Sequence, residues 1–258
     1  MRKRKTIYLI LALIFVAMAG VAVYNIANKD IGDMQDKDAY EDIAELAFAD
    51  EDVGKTNDSK SGELPTNTKT TPNFKQLKET NEHCVGWIQM YGSVINYPVV
   101  WRSYDTEFFL KHIFNGAWGR AGTIYISEEC DPHFGSQNTI LFGHNMFNGT
   151  MFAPLESFKD QEFADAHKEI KYWSDDGKKY LLVPFAGFYT TGSDDYLYVN
   201  FESGEAFINY VNDKLSRSTF RSNVQINEND KIVTLSTCAY NVSDGRYVLY
   251  CKLYEYEN

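Results

Sequence analysis

Basic charge is scarce in this chain. Its 25 Lys and Arg face 36 Asp and Glu, a formal net charge of −11 over 258 residues. The deficit is concentrated: residues 30–63 hold twelve acidic residues and three lysines. A nucleic-acid protein needs basic patches to displace counterions, so this balance speaks against that class. Cysteine is scarce too. Cys84, Cys130, Cys238 and Cys251 are irregularly spaced and no C-x-x-C occurs, which argues against a zinc site. In an exported chain four cysteines suffice for two disulfides, but a domain of this size does not need such staples. No metal or other cofactor is expected, and no internal repeat is visible.

What is present starts at the N-terminus. Four basic residues, Arg2, Lys3, Arg4 and Lys5, precede an uncharged stretch, 7–27. Roughly 20 residues at about 1.5 Å rise cross a hydrocarbon core about 30 Å thick. The run is long for a signal peptide and has no clean A-x-A end, so an uncleaved anchor is expected. The basic tip places the N-terminus in the cytoplasm and the remainder outside. Residues 28–71 read as an acidic, polar stalk, rich in Gly, Pro, Ser and Thr toward its end. Within it Tyr40, Ile43, Ala44 and Ala47 fall at helical spacing, so a short helix and a solvated spacer both fit.

The folded domain is expected over 72–258. Thr71 followed by Pro72 reads as a helix start, with Phe74 and Leu77 facing the core. "VGWIQM" and "VINYPVV" read as a hairpin. "TEFFLKHIF" is a candidate helix, and "GTIYIS" and "NTILFGHN" are strands. Short helical pieces follow near 151–158 and 161–167. "EIKYWS" and "KKYLLVPFAGFY" are strands joined by "DDG". Phe207, Tyr210, Val211 and Leu215 line one side of an amphipathic helix at 203–217. "DKIVTLSTC" and "RYVLYCKLYEY" close the chain. Many short strands with helical insertions predict a mainly β fold, a mostly antiparallel barrel.

Three residues carry candidate chemistry. Strand alternation puts Ile232, Thr234, Ser236 and Cys238 on one face and Val233, Leu235 and Thr237 on the other. Cys238 reads as a buried small hydrophobe, half of a disulfide or a nucleophile. His144 directly follows an apolar strand, where Gly143 allows a sharp turn. It is a surface histidine or a general acid/base. Arg246 opens the last strand eight residues after Cys238, as a surface residue or a fixed cation for a carbonyl or oxyanion.

The order "NTILFGHNM", "TMFAPLESF", "TLSTC" and then an Arg opening "RYVLYCKL" resembles a sortase. The early hairpin, the helix before "GTIYIS" and the long helix before the Cys strand are similar to class B. The resemblance spans about 72–256. It implies a closed eight-stranded sortase barrel with peripheral helices, and a cysteine transpeptidase with Cys238 as nucleophile, His144 as general acid/base and Arg246 as substrate-orienting or oxyanion group. It also implies substrate contacts at Ser236, Tyr196, Leu197, Leu110 and Thr106. Class B members often carry Asn at the last of these positions, and a smaller or neutral residue where this chain has Cys251. The implied partners are secreted proteins with a C-terminal x-P-x-T-x sorting signal, a peptidoglycan amine and the cytoplasmic membrane. The charged C-terminus, "YEYEN", marks the chain as no sorting substrate itself. A hydrolytic cysteine peptidase of the wall and a tethered, non-enzymatic β-barrel are the rival readings; a peptidase would orient its His with Asn or Asp.

Overall fold

A computed structural model describes residues 2–49, 71–194, 197–241 and 243–256, with side chains of the first helix described from Leu13 onward. Helix α1 (Arg2–Phe48) leads into a short helix α2 (Phe74–Thr80) and the barrel strands. These are β1 (Cys84–Gln89), β2 (Asn96–Val100), β3 (Ile124–Ile126), β4 (Asn138–Phe142), β5 (Ile170–Ser174), β6 (Lys179–Thr191), β7 (Ile232–Cys238) and β8 (Gly245–Tyr256). Helix α3 (Gln161–Ala166) precedes β5, and α4 (Gly204–Arg217) lies between β6 and β7.

The strands close a barrel in the order β1-β2-β3-β4-β7-β8-β6-β5. Most neighbours are antiparallel, as the turn signals predict. Two pairs, β2 with β3 and β4 with β7, are parallel. The barrel is therefore mixed, and each parallel pair needs a long connection. The segment between β2 and β3 carries a 3-10 helix (Thr106–Leu110), shorter than the helix expected there. The connection between β4 and β7 carries α3, β5, β6 and α4.

The interior is aromatic. Tyr172 and Phe134 are buried inside, and a methyl group on Gly86 would sit 2.0 Å from the Tyr172 hydroxyl, while Trp87 is buried on the opposite face of β1 against Phe48 of α1. Each such side chain contributes about 1.5–3 kcal/mol on burial. A second, smaller cluster lies outside the barrel wall, where Phe207 and Val211 of α4 cover Phe185, Phe188 and Ile232. Lys214 of α4 is buried, with its ammonium on Asp213 at 2.9 Å and over the Tyr210 ring, while the expected core residue Leu215 is partly exposed. The stem of Lys214 takes the inward place because its charge has partners.

Two N-terminal expectations are corrected. The cap of α2 is Asn73, whose side chain accepts from the Gln76 amide, so the helix starts after Thr71 and Pro72. And α1 does not give way to a spacer at residue 28. It continues to Phe48, burying Tyr40, Ile43 and Ala47 on the barrel. Asp33 pairs with Arg120 at 2.9 Å, Asp36 accepts from the Ala121 amide at 3.0 Å, and the Tyr40 hydroxyl reaches Thr123 at 3.1 Å. The rest of the expected stalk, 50–70, lies outside the described residues. Among the described residues α1 is the one helix long and apolar enough, by length and composition, to cross a membrane.

Candidate active site

The parallel pair β4–β7 positions the site. Both strands run the same way, so their C-terminal ends open at the same rim of the barrel. Phe142 stands opposite Ser236, and the chain beyond Phe142 carries His144 into the cavity that Cys238 also lines. Two bonds bolt the turn to β7: the Thr237 hydroxyl donates to the Gly143 carbonyl at 2.8 Å, and the Asn145 amide donates to the Cys238 carbonyl at 2.8 Å. Gly143 is required for packing, not for a special turn. It lacks a positive φ, and a Cβ there would strike Ile124 at 2.4 Å and Phe152 at 2.7 Å.

The β7–β8 hairpin brings in the cation. Cys238 is directly opposite Arg246, so the two side chains leave the same face of neighbouring strands, with Cα atoms about 4.5–5.5 Å apart. Asp244, in the left-handed region at φ 54°, turns the hairpin and holds the guanidinium at 3.0 Å.

One cavity of about 680 Å³ is lined by Cys238, His144 and Arg246. Its floor is Ile140 and Phe142 of β4 with Ser236 and Thr237 of β7. Thr106, Leu110 and Leu197 line it as well. Of the substrate-contact residues the resemblance implies, Ser236, Thr106, Leu110 and Leu197 therefore share this cleft. Tyr196 lies outside the described residues. Asn138 steers the segment carrying Leu197. Its side-chain amide donates to the Tyr198 carbonyl at 2.7 Å, and its backbone N–H donates to the Val199 carbonyl at 2.9 Å.

Polar satisfaction separates the residues of the cleft. The His144 Nε2–H donates to the Leu110 carbonyl at 2.6 Å, which fixes the ring and leaves Nδ1 without a partner among the described residues. The Ser236 hydroxyl is buried and has no hydrogen-bond partner there. Such an orphan costs about 1–3 kcal/mol unless a ligand satisfies it. All four cysteines are free, and Cys238 is half-buried. Burial pushes the Cys84 thiol up to about 12 and Cys130 to about 11, and pushes Cys251 higher still. Cys251, opposite Val233 in the barrel wall, is a packing residue.

Several residues here had no signal in the sequence. Asn145 also donates to Glu156 at 3.0 Å, and Tyr189 donates to the other oxygen of that carboxylate at 2.8 Å. Tyr240 donates to the Asn145 carbonyl at 2.7 Å. This network ties the His turn to the end of the Cys strand. Asp105, Glu107, Glu128 and Glu129 line the cavity too, so its rim is acidic apart from Arg246.

A thiol, an imidazole and a guanidinium around one cleft are the groups that acyl transfer through a thioester uses: a nucleophile, a proton carrier and a stabiliser of negative charge. Comparison with known proteins gives the family. A family model of the sortase domain matches residues 88–254. Sortase B of Staphylococcus aureus is 33% identical over 184 residues, 70% of this chain and 75% of that protein. An S. aureus sortase B–substrate complex and a sortase B complexed with triglycine superpose with TM-scores of 0.67 at 32% identity, over 71% of this chain and 85% and 86% of theirs. Sortase B from Bacillus anthracis, in complex with AAEK1, superposes with a TM-score of 0.72 at 27% identity over 88% of this chain and 99% of that one. The closed barrel, the cleft at its rim and these likenesses lead to one conclusion: the chain belongs to the sortase family and is a class B sortase, a cysteine transpeptidase.

Proposed function

We propose that this sortase cleaves an x-P-x-T-x sorting signal at the C-terminus of secreted proteins and transfers them to an amine of peptidoglycan. The peptide lies extended over β4 and β7. The thiolate of Cys238 attacks the Thr carbonyl, and the oxyanion is held by Arg246, which hairpin pairing fixes opposite the cysteine. Collapse breaks the C–N bond, and the His144 imidazolium gives its proton to the leaving amine. A thioester to Cys238 remains. The acceptor amine attacks it, His144 takes up a proton, the C–S bond breaks and the thiolate returns. Ser236 offers its unpaired hydroxyl to the bound peptide backbone, Leu110, Leu197 and Thr106 bound the groove, and the sortase resemblance adds Tyr196 as a substrate contact. The acidic rim favours a neutral or basic side chain over an acidic one at the variable positions. Helix α1 anchors the chain in the cytoplasmic membrane, with the basic tip inside and the barrel outside.

The observation that carries this reading is the cleft itself, in which the half-buried Cys238, His144 and Arg246 meet beside the orphaned Ser236 hydroxyl. The sortase B relative solved with triglycine supports an amine acceptor. The test is a quenched x-P-x-T-x peptide library with and without triglycine. Amine-dependent transfer is expected. Cleavage indifferent to the amine leaves a wall peptidase as the correct reading.

A further inference from the structure

The helix that carries the apolar span is the same helix that packs on the barrel, so the barrel has a defined height below the membrane. Its barrel-facing seam runs through Lys29, Asp33, Asp36, Tyr40, Ile43 and Ala47, spaced three and four apart on one face. Contact with the barrel begins at Lys29, whose ammonium lies 5.0 Å from the centre of the Phe147 ring. N-terminal to it, Leu13, Phe15, Val21, Tyr24 and Ile26 are all exposed. The uncharged stretch ends at Ala27, about 3 Å of helix rise above Lys29. Headgroup layers add about 5–8 Å on each side of the hydrocarbon. Phe147 is thereby placed in that layer.

The barrel residues around this point are aromatic and open. Phe147 is 75% exposed and stacks on Tyr240, which is 60% exposed, with ring centroids 4.8 Å apart. Trp118, 68% exposed, lies two residues before Arg120, the partner of Asp33. Exposed Trp, Tyr and Phe at the foot of an apolar span are the residue types that settle at a membrane interface. Tyr240 is two residues beyond Cys238, and the charge of that cysteine, after burial, is the next cause that raises its phenol pKa.

We infer that Trp118, Phe147 and Tyr240 form a seat on the bilayer interface, and that the mouth of the Cys238 cleft opens at the membrane surface. The seat meets substrates where they are tethered, before they leave the bilayer. This rests on α1 being the membrane span proposed above.

The test uses the full chain in vesicles whose acyl chains are brominated close to the headgroup. Bromine quenches tryptophan at short range; Trp87 and Trp173 are buried against Phe48, at the end of α1 away from its apolar span, and Trp101 is half-buried with its indole N–H on the Ser127 carbonyl at 3.2 Å. Quenching is expected in the parent chain, with most of it lost in Trp118→Phe and regained in Trp118→Phe with Phe147→Trp. A chain that does not float with the vesicles overturns the anchor and the seat together. A chain that floats, but whose quenching is the same with and without Trp118 and is not raised by Phe147→Trp, overturns the seat alone. That second pattern would leave the aromatic face to a protein partner.

Discussion

The two ends of the β4–β7 pair use a hydroxyl and a thiol differently. At its start, the side-chain oxygen of Asn138 accepts from the Thr234 hydroxyl at 2.8 Å and its amide donates to Tyr198. The thiol beside it, Cys130, is buried and bonded to the Asn138 backbone carbonyl at 3.7 Å. An amide, a hydroxyl and a thiol are all spent on structure. At the other end the hydroxyl of Ser236 is unpaired, the thiol of Cys238 is half-buried and open to a cavity, and the amide of Asn145 holds the strand end in place. The two ends are one strand length apart. Satisfied polar groups fix the fold, and unsatisfied ones facing a cavity are available to a substrate.

Substitutions at the two ends should therefore have opposite consequences. Cys238→Ala should lower transfer on the order of 10³-fold or more, with a thermal midpoint close to that of the parent. Cys130→Ala should do the reverse, keeping the rate while costing about 1–2 kcal/mol of stability in urea unfolding. Next in size is His144→Ala, with an expected loss of about 10²–10⁴-fold in kcat. A smaller effect separates Thr234→Val from Ser236→Ala. The first strands the Asn138 oxygen and should cost about 1–3 kcal/mol without altering KM. The second removes a hydroxyl with nothing to lose in the free protein, so stability should hold while KM for the sorting peptide rises several-fold. Smallest is the rim. Glu128→Lys with Glu129→Lys should change the preference between lysine and glutamate at the variable peptide positions by a few-fold, since exposed charge pairs contribute about 0.2–1 kcal/mol.

Thiol reactivity gives a pH version of the same contrast. Burial raises Cys84 to about 12 and Cys130 to about 11, and Cys251 higher, so below those values all three stay protonated and covered. Alkylation of the folded chain at pH 8, mapped by peptide mass, should therefore mark Cys238 first.

Much of the fold was legible because strands with a buried face announce themselves by alternation and by their turns. The β1–β2 hairpin and the face shared by Ser236 and Cys238 follow that way. The parallel pairings did not, because alternation marks a strand and not its neighbour. The packing of α1 beyond residue 28 was masked because two of its seam residues, Asp33 and Asp36, are acids. Their partners, Arg120 and the Ala121 amide, are more than 80 positions away. In the site, Cys238, His144 and Arg246 stood out by their order in family-like stretches, since each taken alone had an ordinary reading. Asn145 gave no such hint, although it adjoins His144. Its bond to Cys238 spans 93 positions, and the bond that orients the His144 ring comes from a backbone carbonyl, which every residue has.

The proposed thioester on Cys238 is tested most directly by the intact mass of the chain after brief exposure to a cleavable sorting peptide without an amine. The expected product is an adduct equal to the peptide through its Thr, located on Cys238 and discharged by triglycine into a ligated product. An adduct on another residue, or cleavage with no adduct and no ligated product when triglycine is added, would contradict it.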